Sequence, residues 1–155
     1  MKMDPEVEKL KNALISTSKE VKKNLDMYEG AVYSCFDNSN FFKNLGYRAY
    51  GIDIRVQERE KGKAADYECL DDIEQSIFIL EVKRPSDDKI HPLISYKDKQ
   101  LKEKYVLPRR SKYGVLTNGI KFYVFKRKDS KLIEIIKVED LESITTEDAN
   151  GFTIA

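Results

Sequence analysis

The sequence predicts an α+β sandwich, a central mixed β-sheet flanked by helices, and three observations carry that expectation. The first 45 residues repeat apolar side chains at helical spacing; residues 76–82 (SIFILEV) form a β-branched and aromatic run that can be buried on both faces; and Asn118-Gly119 joins two apolar segments in the strongest short hairpin signal.

Val7, Leu10, Leu14, Val21 and Leu25 recur at helical spacing with Pro5 near the start, which predicts a helix over 4–25. Tyr28, Val32, Phe36, Phe42 and Leu45 continue the pattern up to Gly46, suited to a left-handed C-terminal cap, with Asp37-Asn38-Ser39-Asn40 placed to break this helix in two. The period then changes. Residues 51–58 (GIDIRVQE) alternate, 63–70 (KAADYECL) are short and mixed, and with 76–82 they predict three strands, the third central. Pro85 ends that strand, Pro92 suits the first turn of a helix over about 92–106, and Pro108 closes it. YGVLT at 113–117 and IKFYVFK at 120–126 flank the hairpin turn, KLIEIIKV at 131–138 makes a final strand, and 139–144 a short helix. No repeat, linker or low-complexity segment interrupts this order, so a single domain over 1–155 is expected.

A chain of 155 residues can bury a core without disulfide or metal staples. Charged residues make up 35% and hydrophobic ones 41%, and no stretch approaches the roughly 18 unbroken apolar residues of a membrane span. The charged N-terminus, MKMDPEVEKLKN, lacks the apolar run of a secretory signal, so a cytoplasmic location is expected. Cys35 and Cys69 are too few for a disulfide framework, and the single His91 excludes His-rich zinc sites and disfavours a Ser-His or Cys-His hydrolase. Hydrolytic chemistry would therefore rest on carboxylates and lysine. The net charge of +1 hides a local excess of five: from Arg84 to Lys112, nine basic residues face four acidic ones. Such a stretch serves either as a phosphate-facing patch or as an ordinary solvated helix face.

The chemistry concentrates where the central strand ends. By the two-residue period of a strand, Phe78, Leu80 and Val82 share one face, while Ile77, Ile79, Glu81 and Lys83 share the other. Asp66 lies in the apolar setting Ala64-Ala65-Asp66-Tyr67, and a hairpin between the two strands would bring it beside Glu81. Two adjacent carboxylates repel unless one is protonated or a cation lies between them, and a hard divalent ion resolves the conflict. Lys83 would then orient an attacking water and stabilise charge on a phosphate. A bare Glu-x-Lys is also what a strand-edge ion pair looks like.

The segment GKAADYECLDDIEQSIFILEVKRP resembles motifs II and III of the PD-(D/E)XK nuclease superfamily. The flanking FFKNLGY and YGVLTNGIKFYVF resemble the N-terminal nuclease domain of type I restriction enzyme R subunits, and the similarity spans about residues 20–127. The resemblance implies a restriction-endonuclease-like core and a Mg²⁺-dependent endodeoxyribonuclease, with Mn²⁺ able to substitute. It implies DNA as partner, and the helicase or methyltransferase and specificity components of a restriction system. It assigns catalysis to Asp66, Glu81 and Lys83, and metal ligation to Asp66, Glu81 and the carbonyl of Val82. Ala65 stands where the motif has its naming proline, which ligates nothing. A helical acid is also implied. Glu29 fits, lying about 20° from Phe36 and about 60° from Val32 on a helical wheel, with Glu20 the alternative. A glutamine and a tyrosine are implied on the helix after the Glu-x-Lys strand. Gln100 and Tyr105 match in order but with a gap of four residues instead of three, and Tyr96 shares the face of Gln100 at i−4. On that helix Lys97, Lys102 and Lys104, with Tyr105, are the expected DNA contacts.

Overall fold

The computed structural model describes residues 5–46, 54–56, 66–70 and 75–154, with the backbone alone at 54–56, 66, 153 and 154. Helix α1 (Pro5–Lys22) buries Val7, Leu10, Leu14 and Val21 as its period requires, with Glu6 and Glu8 in the first turn and Lys19 and Lys22 in the last, where the helix dipole favours them. It ends before Leu25. The Asn24 side chain accepts from the Asp26 N–H at 3.1 Å and turns the chain, so Leu25, expected on the apolar stripe, is exposed. Helix α2 (Glu29–Asn38) begins after Tyr28, which caps it in an extended conformation and lies outside the helix rather than on its apolar face. Asn40, in the left-handed region at φ 66°, separates α2 from α3 (Phe41–Asn44) within the polar run that the sequence marked as a break.

Among the described residues six strands follow: β1 (Ile54–Val56), β2 (Asp66–Leu70), β3 (Ser76–Val82), β4 (Tyr113–Thr117), β5 (Phe122–Lys128) and β6 (Lys131–Val138). Their order across the sheet is their order in the chain. Among these strands β3 and β4 pair in parallel and the other neighbours are antiparallel. The sheet is therefore mixed, with β3 and β4 at its centre. The remainder of the expected strands 51–58 and 63–70 lies outside the described residues. The Asn-Gly hairpin closes through four residues, because Thr117 pairs with Phe122. Asn118 Oδ1 accepts from the N–H of Ile120 at 3.0 Å and of Lys121 at 2.8 Å, and Gly119 takes φ 86°. β5 thus starts at Phe122 instead of 120.

A parallel pair needs a crossover, and residues 85–109 supply it. It is not the single α-helix expected over 92–106. A 3₁₀ turn (Pro85–Lys89) and a second (Leu93–Tyr96) lead into a π-helix (Lys97–Val106) and α4 (Leu107–Arg109). Hydrogen bonds of the i→i+5 type widen a helix, and this run buries Leu101, Tyr105 and Val106 against the sheet. Gly114 permits the close approach: a Cβ there would meet Leu101 Cδ2 at 2.9 Å. Pro108 does not close the helix. It sits just past the junction of the π-helix with α4, and Arg110 ends the run at φ 53°. After β6, a 3₁₀ turn (Leu141–Ser143) replaces the expected short helix, its N–H of Glu142 held by Asp140 at 3.0 Å. Helix α5 (Thr146–Ile154), which the sequence reading did not anticipate, buries Ala149 and Phe152.

Two cores result, one on each side of the sheet. Phe78, Leu80, Val82, Phe122 and Val124 pack with Leu10, Leu14, Phe36, Phe41 and Phe152. On the opposite face Ile79, Leu116, Tyr123 and Phe125 pack with Leu93, Leu101, Tyr105 and Val106. The alternation read along β3 holds from residue 78 onward, whereas Ile77 packs on the first core, next to the register shift at Leu70–Ser76. Among the described residues no helix is long and apolar enough to cross a membrane.

Candidate active site

Antiparallel pairing of β2 with β3 sets Asp66 opposite Glu81 and Glu68 opposite Ile79. Paired residues share a face of the sheet, and period two adds Lys83 and Glu68 to that face. Three acidic positions and one lysine therefore gather on the side covered by the π-helix. Glu81 is 1% exposed and Lys83 is 7% exposed. Their side chains meet at 2.9 Å, Lys83 Nζ to Glu81 Oε1. The Lys83 N–H donates to the Thr117 carbonyl at 2.9 Å, which extends the parallel ladder past Val82 and fixes the backbone below the lysine. The other face of Lys83 is also defined, because its Nζ lies 4.3 Å from the centre of the Tyr96 ring.

Tyr96 in turn donates its hydroxyl to Asp87 Oδ2. Burial, the bond to Asp87 and the negative charges of Asp87 and Glu29 push this hydroxyl well above the usual tyrosine range. Glu29 is half-buried at the first position of α2, and its charge reaches Tyr96. Glu20, the alternative helical acid, is exposed and bridges Lys23 at 2.8 Å. Tyr105 is buried in the second core, while Tyr96 is the tyrosine beside Lys83. Gln100 is half-buried within the π-helix. Lys97 lies over the Phe125 ring at 5.4 Å, Lys102 pairs with Asp98 at 3.5 Å, and Lys104 lies over the Tyr105 ring at 5.3 Å. Val82 is fully buried, its side chain on the opposite core from the carboxylates.

Glu68 was not among the expected site residues, although its spacing of two from Asp66 put it on the same face. It is 2% exposed and its Oε1 lies 3.9 Å from the Arg109 guanidinium. Nothing in the sequence pointed to Asp87, whose role depends on how the 3₁₀ turn folds back on Tyr96. An open pocket of about 470 Å³, lined by Lys9, Asn12, Ser16, Asn40 and Lys43 among others, shares none of these residues.

The donor set suits a hard cation on one observation. Glu81 Oε2 is buried and has no hydrogen-bond partner among the described residues, a costly state for a carboxylate oxygen that a cation relieves. Among the described residues no three His, Cys, Asp or Glu side chains are grouped to hold a metal, and the Asp66 side chain is not one of those described. No protein-family model matches the chain, and no curated protein or solved structure gives a match.

Proposed function

We propose that the chain is a Mg²⁺-dependent deoxyribonuclease domain with a restriction-endonuclease-like core, of the kind that serves restriction or defence. The observation that supports it most is the register of Asp66 opposite Glu81, with Lys83 two residues further on the same face. Asp66, Glu81 and the Val82 carbonyl would hold the divalent ion, leaving Glu29 and Gln100 as further contributors near the site. The ion, when bound, supplies Lewis-acid polarisation of a phosphoryl oxygen and acidifies a water. Lys83 holds and orients the attacking water and offsets charge developing on the phosphate, while Tyr96 and Glu81 keep its ammonium at the strand end. Lys97, Lys102 and Lys104 lie on the covering helix, where they would contact phosphate oxygens without reading bases.

The test is Mg²⁺-dependent cleavage of plasmid DNA by the wild type and by Lys83→Ala. Cleavage by the wild type, reduced about 10²–10⁴-fold in the variant, is expected for loss of a group acting on protons in the reaction. A non-cleaving nucleic-acid-binding or assembly module is the second reading. One observation favours it: the Glu81–Lys83 pair is closed and almost dry, as a purely structural ion pair would be. DNA binding without cleavage, equal in both proteins, would select that reading.

A further inference from the structure

Near the end of β3 stands an aromatic side chain that the proposed chemistry does not use. Tyr28 is 72% exposed, so most of its ring surface is open to solvent. It immediately precedes Glu29, whose charge reaches Tyr96, and it lies against Arg84, the residue after Lys83. The Arg84 guanidinium carbon sits 5.0 Å from the ring centre. That guanidinium is itself tied down, donating to the Asp26 carbonyl at 2.8 Å, and the neighbouring Ser86 N–H holds the Leu25 carbonyl at 2.9 Å. Two short stretches of chain, 25–29 and 83–86, are thus laced together at the end of β3, and the lacing presents a ring backed by a fixed positive charge.

We infer that Tyr28 and Arg84 form a stacking platform for an unpaired base, so that the substrate class of the neighbouring site is a nucleic acid with a single-stranded stretch. This rests on the nuclease reading for the site's chemistry, but not for the binding itself. An exposed aromatic ring stacks on any base, and an arginine plane beside it adds a cation–π contribution and attracts the phosphate. A base paired within a duplex has both faces covered by its neighbours and gains nothing from the ring. The platform therefore discriminates by strandedness, not by sequence, and its two residues adjoin Glu29 and Lys83 in the chain.

The experiment measures fluorescence anisotropy of a short labelled single-stranded oligonucleotide, and of a duplex of the same length, in EDTA so that cleavage plays no part. Stacking is worth about 1–3 kcal/mol per base, so Tyr28→Ala should weaken single-strand binding about 5- to 150-fold. Duplex binding should stay as in the wild type, and so should the slope of log affinity against log salt, because no phosphate contact is lost. Tyr28→Phe keeps the ring and should restore the affinity. The chain contains no tryptophan, so Tyr28→Trp installs a lone indole whose emission a stacked base should quench. Unchanged single-strand affinity in Tyr28→Ala, equal losses on single strand and duplex, or no quenching of the indole by saturating single strand would overturn the platform. Mg²⁺-dependent plasmid cleavage, measured separately, reports on the nuclease reading alone: a protein that does not cleave yet loses single-strand affinity in Tyr28→Ala retains the platform and loses the chemistry.

Discussion

Lys83 Nζ lies 2.9 Å from Glu81 Oε1 in a place that water scarcely reaches, since the two residues are 7% and 1% exposed. Removing one partner of such a pair strands a charge in a low-dielectric setting, which typically costs about 3–5 kcal/mol. Lys83→Ala and Glu81→Ala should each lower stability toward that range in urea unfolding, with an unchanged m-value. The double variant should cost less than the sum of the two, because the second substitution removes the stranded charge. Strictly additive losses would mean that the two side chains do not interact.

The second carboxylate oxygen of Glu81 is buried without a hydrogen-bond partner among the described residues. A divalent ion bound there stabilises the native state by mass action, by about 2.7 kcal/mol at a hundredfold excess over Kd. Mg²⁺ or Mn²⁺ should raise the melting temperature of the wild type, and chelation should reverse it. Asp66→Ala, which removes the position opposite Glu81, should abolish the shift. Equal shifts in both proteins would place the ion elsewhere.

The period of two along β3 carried most of what the sequence revealed. It assigned Phe78, Leu80 and Val82 to one face and Ile77, Ile79, Glu81 and Lys83 to the other; Phe78, Leu80 and Val82 do lie in one core and Ile79 in the other, whereas Ile77 packs with the first. It carried that far because a strand has one geometry and a one-residue slip would bury the wrong face. The helices were legible only in part. Leu25 and Tyr28 fit apolar stripes by spacing, yet both are exposed, because the turn at Asn24 and Asp26 ends α1 before Leu25 and Tyr28 caps α2 instead of entering it. The π-helix was not legible at all: its wide turn depends on Gly114 letting Leu101 settle onto β4, a long-range contact that no local propensity records. The same holds for Tyr96. Order along the chain favoured Tyr105, with Tyr96 as the alternative on the face of Gln100, whereas the 3₁₀ start of the crossover brings Tyr96 to Lys83 and the π turn buries Tyr105.

Burial and the hydrogen bond to Asp87 raise the Tyr96 hydroxyl, and burial with the bond to Glu139 raises that of Tyr123. Both should ionise later than an ordinary tyrosine, near pH 10, so Tyr96→Phe and Tyr123→Phe should each remove absorbance amplitude from the alkaline end of a tyrosinate titration. A raised tyrosine binds its proton more tightly folded than unfolded. Its contribution to stability is therefore complete below about pH 10 and is lost as the pH rises through the folded value. Asp87→Asn removes a negative charge beside the hydroxyl and should move Tyr96 back down. Loss of amplitude only from the ordinary range in Tyr96→Phe would contradict the contact with Asp87.

The final prediction separates affinity from chemistry. Lys97, Lys102 and Lys104 lie on the helix that covers the carboxylate face, and among the described residues each is engaged by a ring or a surface acid: Phe125, Asp98 and Tyr105 respectively. Such contacts yield readily to phosphate, since an exposed pair like Lys102–Asp98 is worth no more than about 1 kcal/mol. If this face meets DNA, replacing two of these lysines by alanine should weaken binding alike across sequences and reduce the slope of log affinity against log salt by roughly one unit per lost contact. Lys83 is nearly buried behind Tyr96, so its loss should leave that slope alone and fall on the rate at saturating DNA and Mg²⁺. Opposite signatures for the two kinds of variant are expected from the same pair of measurements, salt-dependent anisotropy and single-turnover cleavage. A Lys83→Ala protein that remains folded and cleaves at the wild-type rate would remove the lysine from catalysis and leave the non-cleaving module as the better account.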